Sequence, residues 1–160
     1  PAVEKGVREA LGLGVVAGFP LVDVQVTVFE GKYHSVDSKE IAFATAGRKA
    51  FVDAALKARP IVLEPIVNLE IVVPAASIGD ITGDLSSRRA RILGTDGQGV
   101  GFMLIRGQAP LAELTGYSSR LKAMTGGEGS FTLELAHYEA VPGAVQQELA
   151  KHYAIKDEET

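Results

Sequence analysis

The sequence predicts an α+β protein: an incomplete unit of one strand and two helices, a complete unit of four strands and two helices, and a C-terminal helix. Three observations carry that prediction. Val22, Val24, Val26 and Val28 alternate with Asp23, Gln25 and Thr27, and Val67, Leu69, Ile71 and Val73 alternate likewise, which is the period of a strand buried on one face. Apolar residues recur at helical spacing over 2–11, about 38–57, about 75–90 and 111–124. Glycine and proline (Gly12, Gly14, Pro20, Pro60, Pro74, Pro110, Gly126, Gly127, Pro142, Gly143) punctuate the runs.

Taken in order, Val3, Val7, Ala10 and Leu11 make the apolar face of a first helix, which Gly12 and Gly14 are suited to end. A strand follows over 21–29, then a short polar loop, then a helix over about 38–57 that buries Ile41, Ala44, Phe51 and Ala55. Asp37 stands three residues ahead of Glu40, the spacing of a capping box with Asp37 as N-cap and Glu40 at its third helical position. Arg59-Pro60 stops that helix, because proline disfavours the helical conformation in the residue before it. One strand cannot pair its own ladder groups. Residues 1–64 therefore read as the C-terminal part of a domain whose leading strands lie elsewhere.

From Glu64 the pattern is βαββαβ. A strand ending at Pro74 precedes a helix over about 75–90 with Ile78, Ile81 and Leu85 on one face. Strands over 91–95 and 100–109 are joined by a turn at Asp96-Gly97-Gln98-Gly99. Leu111, Leu114, Tyr117, Leu121 and Met124 form a second helix, and Phe131, Leu133 and Leu135 alternate as the last strand. Two helices on one face of a four-stranded antiparallel sheet is the ferredoxin-like architecture. A helix over 142–153, with Val145 and Leu149 four residues apart, is too short to stand alone and is expected to pack back on the first unit. The tail 154–160 is expected to be disordered.

The 160 residues suffice for one domain or two small ones, and 46% apolar content with 22% charged residues is that of a globular chain. No apolar run approaches the ~20 residues that span a bilayer, so no membrane partner is expected. Without cysteine there is no disulfide or thiolate site, and an intracellular location fits. His34, His137 and His152 are too scattered for a metal site. Residues 1–64 carry eight basic and eight acidic side chains, 65–142 six and eight, and 143–160 two and four. With no broad positive field, any RNA contact is local.

No catalytic centre is legible. GxxxxGK[ST] is absent, and the glycine-rich run Gly94–Gly101 lies between two strands, where it reads as a turn. Asp80 and Asp84 share a helix face, and Asp84 is placed to pair with Arg88. Arg88, Arg89 and Arg91 form one basic cluster, with Arg120 and Lys122 as a weaker cationic edge. These either complement a helix C-terminus or contact phosphate. His137 and Tyr138 read as structural. The loop at Gly31, Lys32, Tyr33, His34 and Ser35 sets a cation, a phenol and an imidazole at an exposed tip, where recognition residues concentrate. The alternative is an ordinary polar connection.

Several ordered stretches resemble the C-terminal part of the elongation factor G family: Gly18-Phe19-Pro20-Leu21-Val22-Asp23-Val24, Tyr33-His34-Ser35-Val36-Asp37-Ser38, Leu63-Glu64-Pro65-Ile66, Gly79-Asp80-Ile81-Thr82-Gly83-Asp84-Leu85 with Arg88-Arg89, Pro110-Leu111-Ala112-Glu113-Leu114, Gly116-Tyr117 and His137-Tyr138 before Val141-Pro142. The resemblance implies a partial fourth domain at 1–64, of the ribosomal protein S5 domain 2 type, and a ferredoxin-like fifth domain at 65–141. The terminal helix returns to the fourth domain. It also implies a bacterial-type, cytoplasmic translation factor whose GTPase domain, with GTP and magnesium, lies upstream. The implied partners are the ribosome (the small-subunit decoding region, the large-subunit stalk base and the sarcin–ricin loop), tRNA and mRNA. Gly31, Lys32, Tyr33, His34 and Ser35 fall on a tip loop facing tRNA, and Arg88, Arg89, Arg91, Arg120 and Lys122 are candidates for rRNA.

One segment departs from the family pattern. Where members carry a run of the type LRSxTQGRG, this chain reads Leu121-Lys122-Ala123-Met124-Thr125-Gly126-Gly127-Glu128-Gly129. A serine, a glutamine and an arginine are replaced by Ala123, Gly126 and Glu128, and Glu128 would repel phosphate. An elongation-factor-G-like paralogue acting in ribosome recycling or protection is the second expectation. A small-molecule-binding regulatory module is the third, since this architecture hosts many functions.

Overall fold

The computed structural model describes residues 1–34 and 39–158. The chain divides into two compact units, Pro1–Val62 with Val141–Thr160, and Leu63–Ala140.

In the first unit, helix α1 (Ala2–Leu13) ends on Gly14, whose φ of 77° is in the left-handed region open to glycine. Helix α2 (Glu40–Lys57) ends at Ala58, and Arg59 before Pro60 takes φ 56°. The two helices cross with backbone against backbone. A methyl group on Gly6 would collide with the Ala44 carbonyl, and one on Gly47 would lie 2.8 Å from the Val3 oxygen. Val7, Ala10 and Phe51 make the small core, with Val3, Leu11, Leu21, Val52 and Ala55 packed around it. Ile41, placed with the buried set by periodicity, is instead 74% exposed, because α1 crosses α2 near Ala44–Gly47 and leaves the first turn uncovered.

Two further expectations change here. Residues 21–29 form no strand: the segment has no ladder partner among the described residues, and Val22, Val24, Val26 and Val28 remain between 43% and 65% exposed. Leu21 N–H bonds to the Leu11 carbonyl, and Asp23 adopts φ 57°, off the strand conformation. Helix α2 begins at Glu40 with Lys39 as N-cap and no side-chain cap, so Glu40 is the first helical residue and not the third. Asp37, the other half of the expected capping box, lies outside the described residues.

Helix α5 (Gly143–Glu158) returns to this unit. The Gln146 side chain accepts from Val62 N–H at 3.0 Å and donates to the Pro60 carbonyl at 3.3 Å. The helix continues past Tyr153, where it was expected to end in a disordered tail, since Ala154-Ile155-Lys156-Asp157-Glu158 contains no helix breaker.

The second unit is one antiparallel sheet of strands β1 (Leu63–Pro74), β2 (Arg91–Gly97), β3 (Phe102–Pro110) and β4 (Ser130–Ala140), in the order β2-β3-β1-β4. Helices α3 (Ile78–Ser87) and α4 (Tyr117–Thr125) cover one face. Val67, Leu69, Ile71 and Val73 alternate into the core against Ile81, Leu85, Ile105, Leu114, Tyr117 and Leu121. Each such burial stabilises by about 1.5–3 kcal/mol relative to an exposed side chain.

The ladder corrects three details. The β2–β3 turn lies two residues later than expected, at 98–101: Asp96 stays in register opposite Leu104, while Gly99 and Gly101 take φ 72° and 77°. The expected helix from Leu111 splits into a 3₁₀ turn, Leu111–Leu114, and α4, because Gly116 adopts φ 71° between them. On β4 only Phe131 packs on the core. Leu133 and Leu135 are 40% and 56% exposed, since β4 is an edge strand that α4 meets only near Phe131.

Candidate nucleic-acid interface

The tip residues Gly31, Lys32, Tyr33 and His34 are all exposed, between the unpaired segment and α2; Ser35 lies outside the described residues. Tyr33 is anchored: its ring lies parallel, within 9°, to that of Phe43 on α2, with centroids 6.3 Å apart. Such an offset pair is worth about 0.5–1.5 kcal/mol beyond burial. Phe43 was not singled out by sequence, because nothing in its spacing distinguishes it from other residues of the apolar helix face.

The cationic residues form a different kind of site. The chain turns at the C-terminus of α3, where Arg88 and Ala90 N–H groups both bond to the Leu85 carbonyl and Arg89 takes φ 57°. That turn directs two guanidiniums back into the unit. Arg88 Nε donates to Asp84 Oδ2 at 2.8 Å and its terminal nitrogen to the Glu113 carbonyl at 2.6 Å, while its charge lies 5.2 Å over the Tyr117 ring. Arg89 forks onto Glu64 at 2.7 and 2.9 Å and reaches Glu113 at 3.1 Å. Arg120 takes the second oxygen of Asp84 at 3.0 Å.

These contacts set the electrostatics. Burial disfavours the charged Asp84 carboxylate, yet hydrogen bonds from Arg88 and Arg120 outweigh it and hold the carboxyl below its ordinary range. The Glu64 hydrogen bond, aided by Glu113 against some burial, holds Arg89 above the ordinary guanidinium value. Burial, with the nearby Asp84 charge, pushes the Tyr117 hydroxyl up to about 12.

Arg91 is more open, paired with Glu139 at 2.9 Å and Gln108 at 3.3 Å on the uncovered sheet face. Glu139 also accepts from or shares a proton with His137 at 2.7 Å, and that contact, then Arg91, lowers its carboxyl. Lys122 is exposed in the last turn of α4. Of the five cationic candidates, then, Arg88 and Arg89 are committed to the unit's own acids, Arg91 and Arg120 are part-committed, and the structure does not bring Lys122 into the cluster. The expected Asp84–Arg88 pair is present. Glu64 and Glu113, the acids that absorb Arg89, are 49 residues apart in the chain (64 to 113), so sequence spacing could not reveal them.

The loop after α4 has its own lock. The Thr125 hydroxyl donates to the Leu121 carbonyl and accepts from Gly129 N–H, each at 2.8 Å. A methyl group on Gly129 would lie 2.8 Å from that hydroxyl and 2.9 Å from Leu121. Glu128 is therefore presented on a short loop closed at both ends. Among the described residues no group of three or more acidic, histidine or cysteine side chains is placed to hold a metal, and no helix is long and apolar enough to cross a membrane.

Comparison with known proteins finds matches along most of the chain. The family described as elongation factor G, domain IV, matches residues 1–59, and that described as elongation factor G C-terminus matches residues 61–149. An elongation factor G from Aquifex pyrophilus is 46% identical over 149 residues, 93% of this chain and 21% of that protein. A crystal structure of a Thermus thermophilus protein superposes with a TM-score of 0.75 at 40% identity, covering 96% of this chain and 23% of the other. The chain thus spans about a fifth of the length of the relatives it matches. Two family regions, matched in order over nearly the whole sequence, show that this chain belongs to the elongation factor G family.

Proposed function

We propose that this chain supplies the ribosome- and tRNA-contacting end of a cytoplasmic translational GTPase that moves tRNA and mRNA through the ribosome. Residues 1–62 act as part of the fourth domain, whose leading strands lie upstream and pair with the segment at 21–29. Residues 63–140 act as the fifth domain, and α5 returns to the fourth. GTP and magnesium belong to the parent protein, since this chain lacks GxxxxGK[ST]. The chain's own part is contact. The tip occupies space beside tRNA, while the fifth domain approaches the stalk base and the sarcin–ricin loop of the rRNA.

The observation that carries this reading is the exposed, ring-anchored tip at Gly31–His34 within a region matched to the family's fourth domain. It is tested by His34→Ala in the full-length parent. Single-turnover movement of mRNA is expected to slow about tenfold or more, with the melting temperature within about 1–2 °C of the parent's. Unchanged movement would remove His34 from the assignment.

Glu128 supports a second reading, a paralogue working in ribosome recycling or protection. An acid on the locked loop after α4 disfavours the phosphate contact a cation would make there. Subunit-splitting assays run beside translocation assays separate the two.

A further inference from the structure

We propose that Tyr33, backed by Phe43, is a stacking platform for an unpaired nucleobase of RNA, a proposal that rests on the reading of the tip as an RNA contact. Tyr33 combines two properties that no other described aromatic residue combines: a parallel ring partner and a surface left 71% exposed. The other paired tyrosine, Tyr117, is 1% exposed and meets Phe131 edge-on in the core, where the pair serves packing. At the tip, Phe43 sits half-buried on α2 with its ring running parallel to that of Tyr33, and most of the Tyr33 surface is left to solvent. A ring held that way has lost part of its rotamer freedom before any ligand arrives, so less ordering is left to oppose binding.

The ligand class follows from charge and geometry. With net charge −4, the chain has no field to hold a duplex through its phosphates. A single aromatic face suits a base freed from its own stack, as in an RNA loop, and is tolerant of which base it meets. Lys32, next to Tyr33 in the chain and exposed, supplies a cation beside the platform for the flanking backbone. Phe43 is a positioning residue and Tyr33 the contact.

The test uses the full-length parent protein and an RNA stem–loop carrying 2-aminopurine in its single-stranded loop. Wild type and Tyr33→Phe are expected to quench the 2-aminopurine emission. Tyr33→Leu, similar in bulk but without a π face, is expected to lose the quench and bind about tenfold more weakly, with an unchanged salt dependence. Phe43→Leu is expected to weaken binding severalfold while keeping some quench. Far-UV circular dichroism confirms that each variant folds, and a fully paired RNA of equal length is expected to show no dependence on Tyr33. Quenching by Tyr33→Leu equal to wild type overturns the proposal. If His34→Ala slows ribosomal movement while that equality holds, the tip reading stands and the stacking platform alone falls. If neither substitution has any effect, both fall.

Discussion

Strand β1 and the extended segment at 21–29 are both valine-rich and alternating, and they occupy opposite situations. β1 is bonded to β3 on one edge and β4 on the other, and its Val67, Leu69, Ile71 and Val73 lie at most 3% exposed beneath two helices. The segment at 21–29 has no ladder among the described residues, only its Leu21 packs on the small core, and its valines are 43% to 65% exposed. The comparison teaches that the stabilisation of a strand resides in its neighbours: alternation specifies which face is to be buried, and the burying is done by other parts of the chain.

The widest separation should come from matched truncations. Leu69→Ala is expected to destabilise the second unit by about 2–5 kcal/mol in urea unfolding, whereas Val26→Ala in the 160-residue chain should change stability by no more than about 0.5 kcal/mol. A comparable loss at Val26 would break the comparison by showing that the segment already has a partner. A smaller effect is expected at the α3 turn. Arg89→Met strands the largely buried Glu64 carboxylate, and should cost about 2–3 kcal/mol. If it costs nothing measurable, the arginine is held for RNA and not for the fold, and the phosphate reading regains its ground.

The smallest effect is one of pH. Asp84 has a folded pKa below its unfolded value, so its contribution is present above the unfolded value, about 3.9, and is lost as pH falls through the folded one. Asp84→Asn should remove about 1 kcal/mol at neutral pH and flatten the acid limb of the second unit's stability curve. An unaltered acid limb would mean that Arg88 and Arg120 do not hold the carboxylate in solution.

The second unit was nearly all legible from sequence, because its strands and helices complete one another within 78 consecutive residues, from Leu63 to Ala140. Its misreadings are local: glycines at 99, 101 and 116 move a turn and split a helix through left-handed φ values that periodicity does not register. The first unit was legible as pattern but not as structure. Val22–Val28 needs partners that none of the described residues supplies, and Ile41 lies off the stripe of α2 that α1 covers. At the candidate sites, the tip could be located by its polar loop, but the Phe43 backing and the diversion of Arg88 and Arg89 to Glu64, Asp84 and Glu113 depend on contacts between distant residues.

The register of the larger unit has a further consequence, for the order in which the chain takes shape during synthesis. Leu63 stands opposite Ala140, and just outside them Val141 N–H bonds to the Val62 carbonyl. The four-stranded sheet is thus an insertion whose entry and exit meet at one point. As the polypeptide emerges amino end first, α1 and α2 appear early but must wait for 78 residues of sheet and helix before α5 and Gln146 arrive to close on Pro60 and Val62. Of the two units, the one whose helices emerge first is thus the later to be completed.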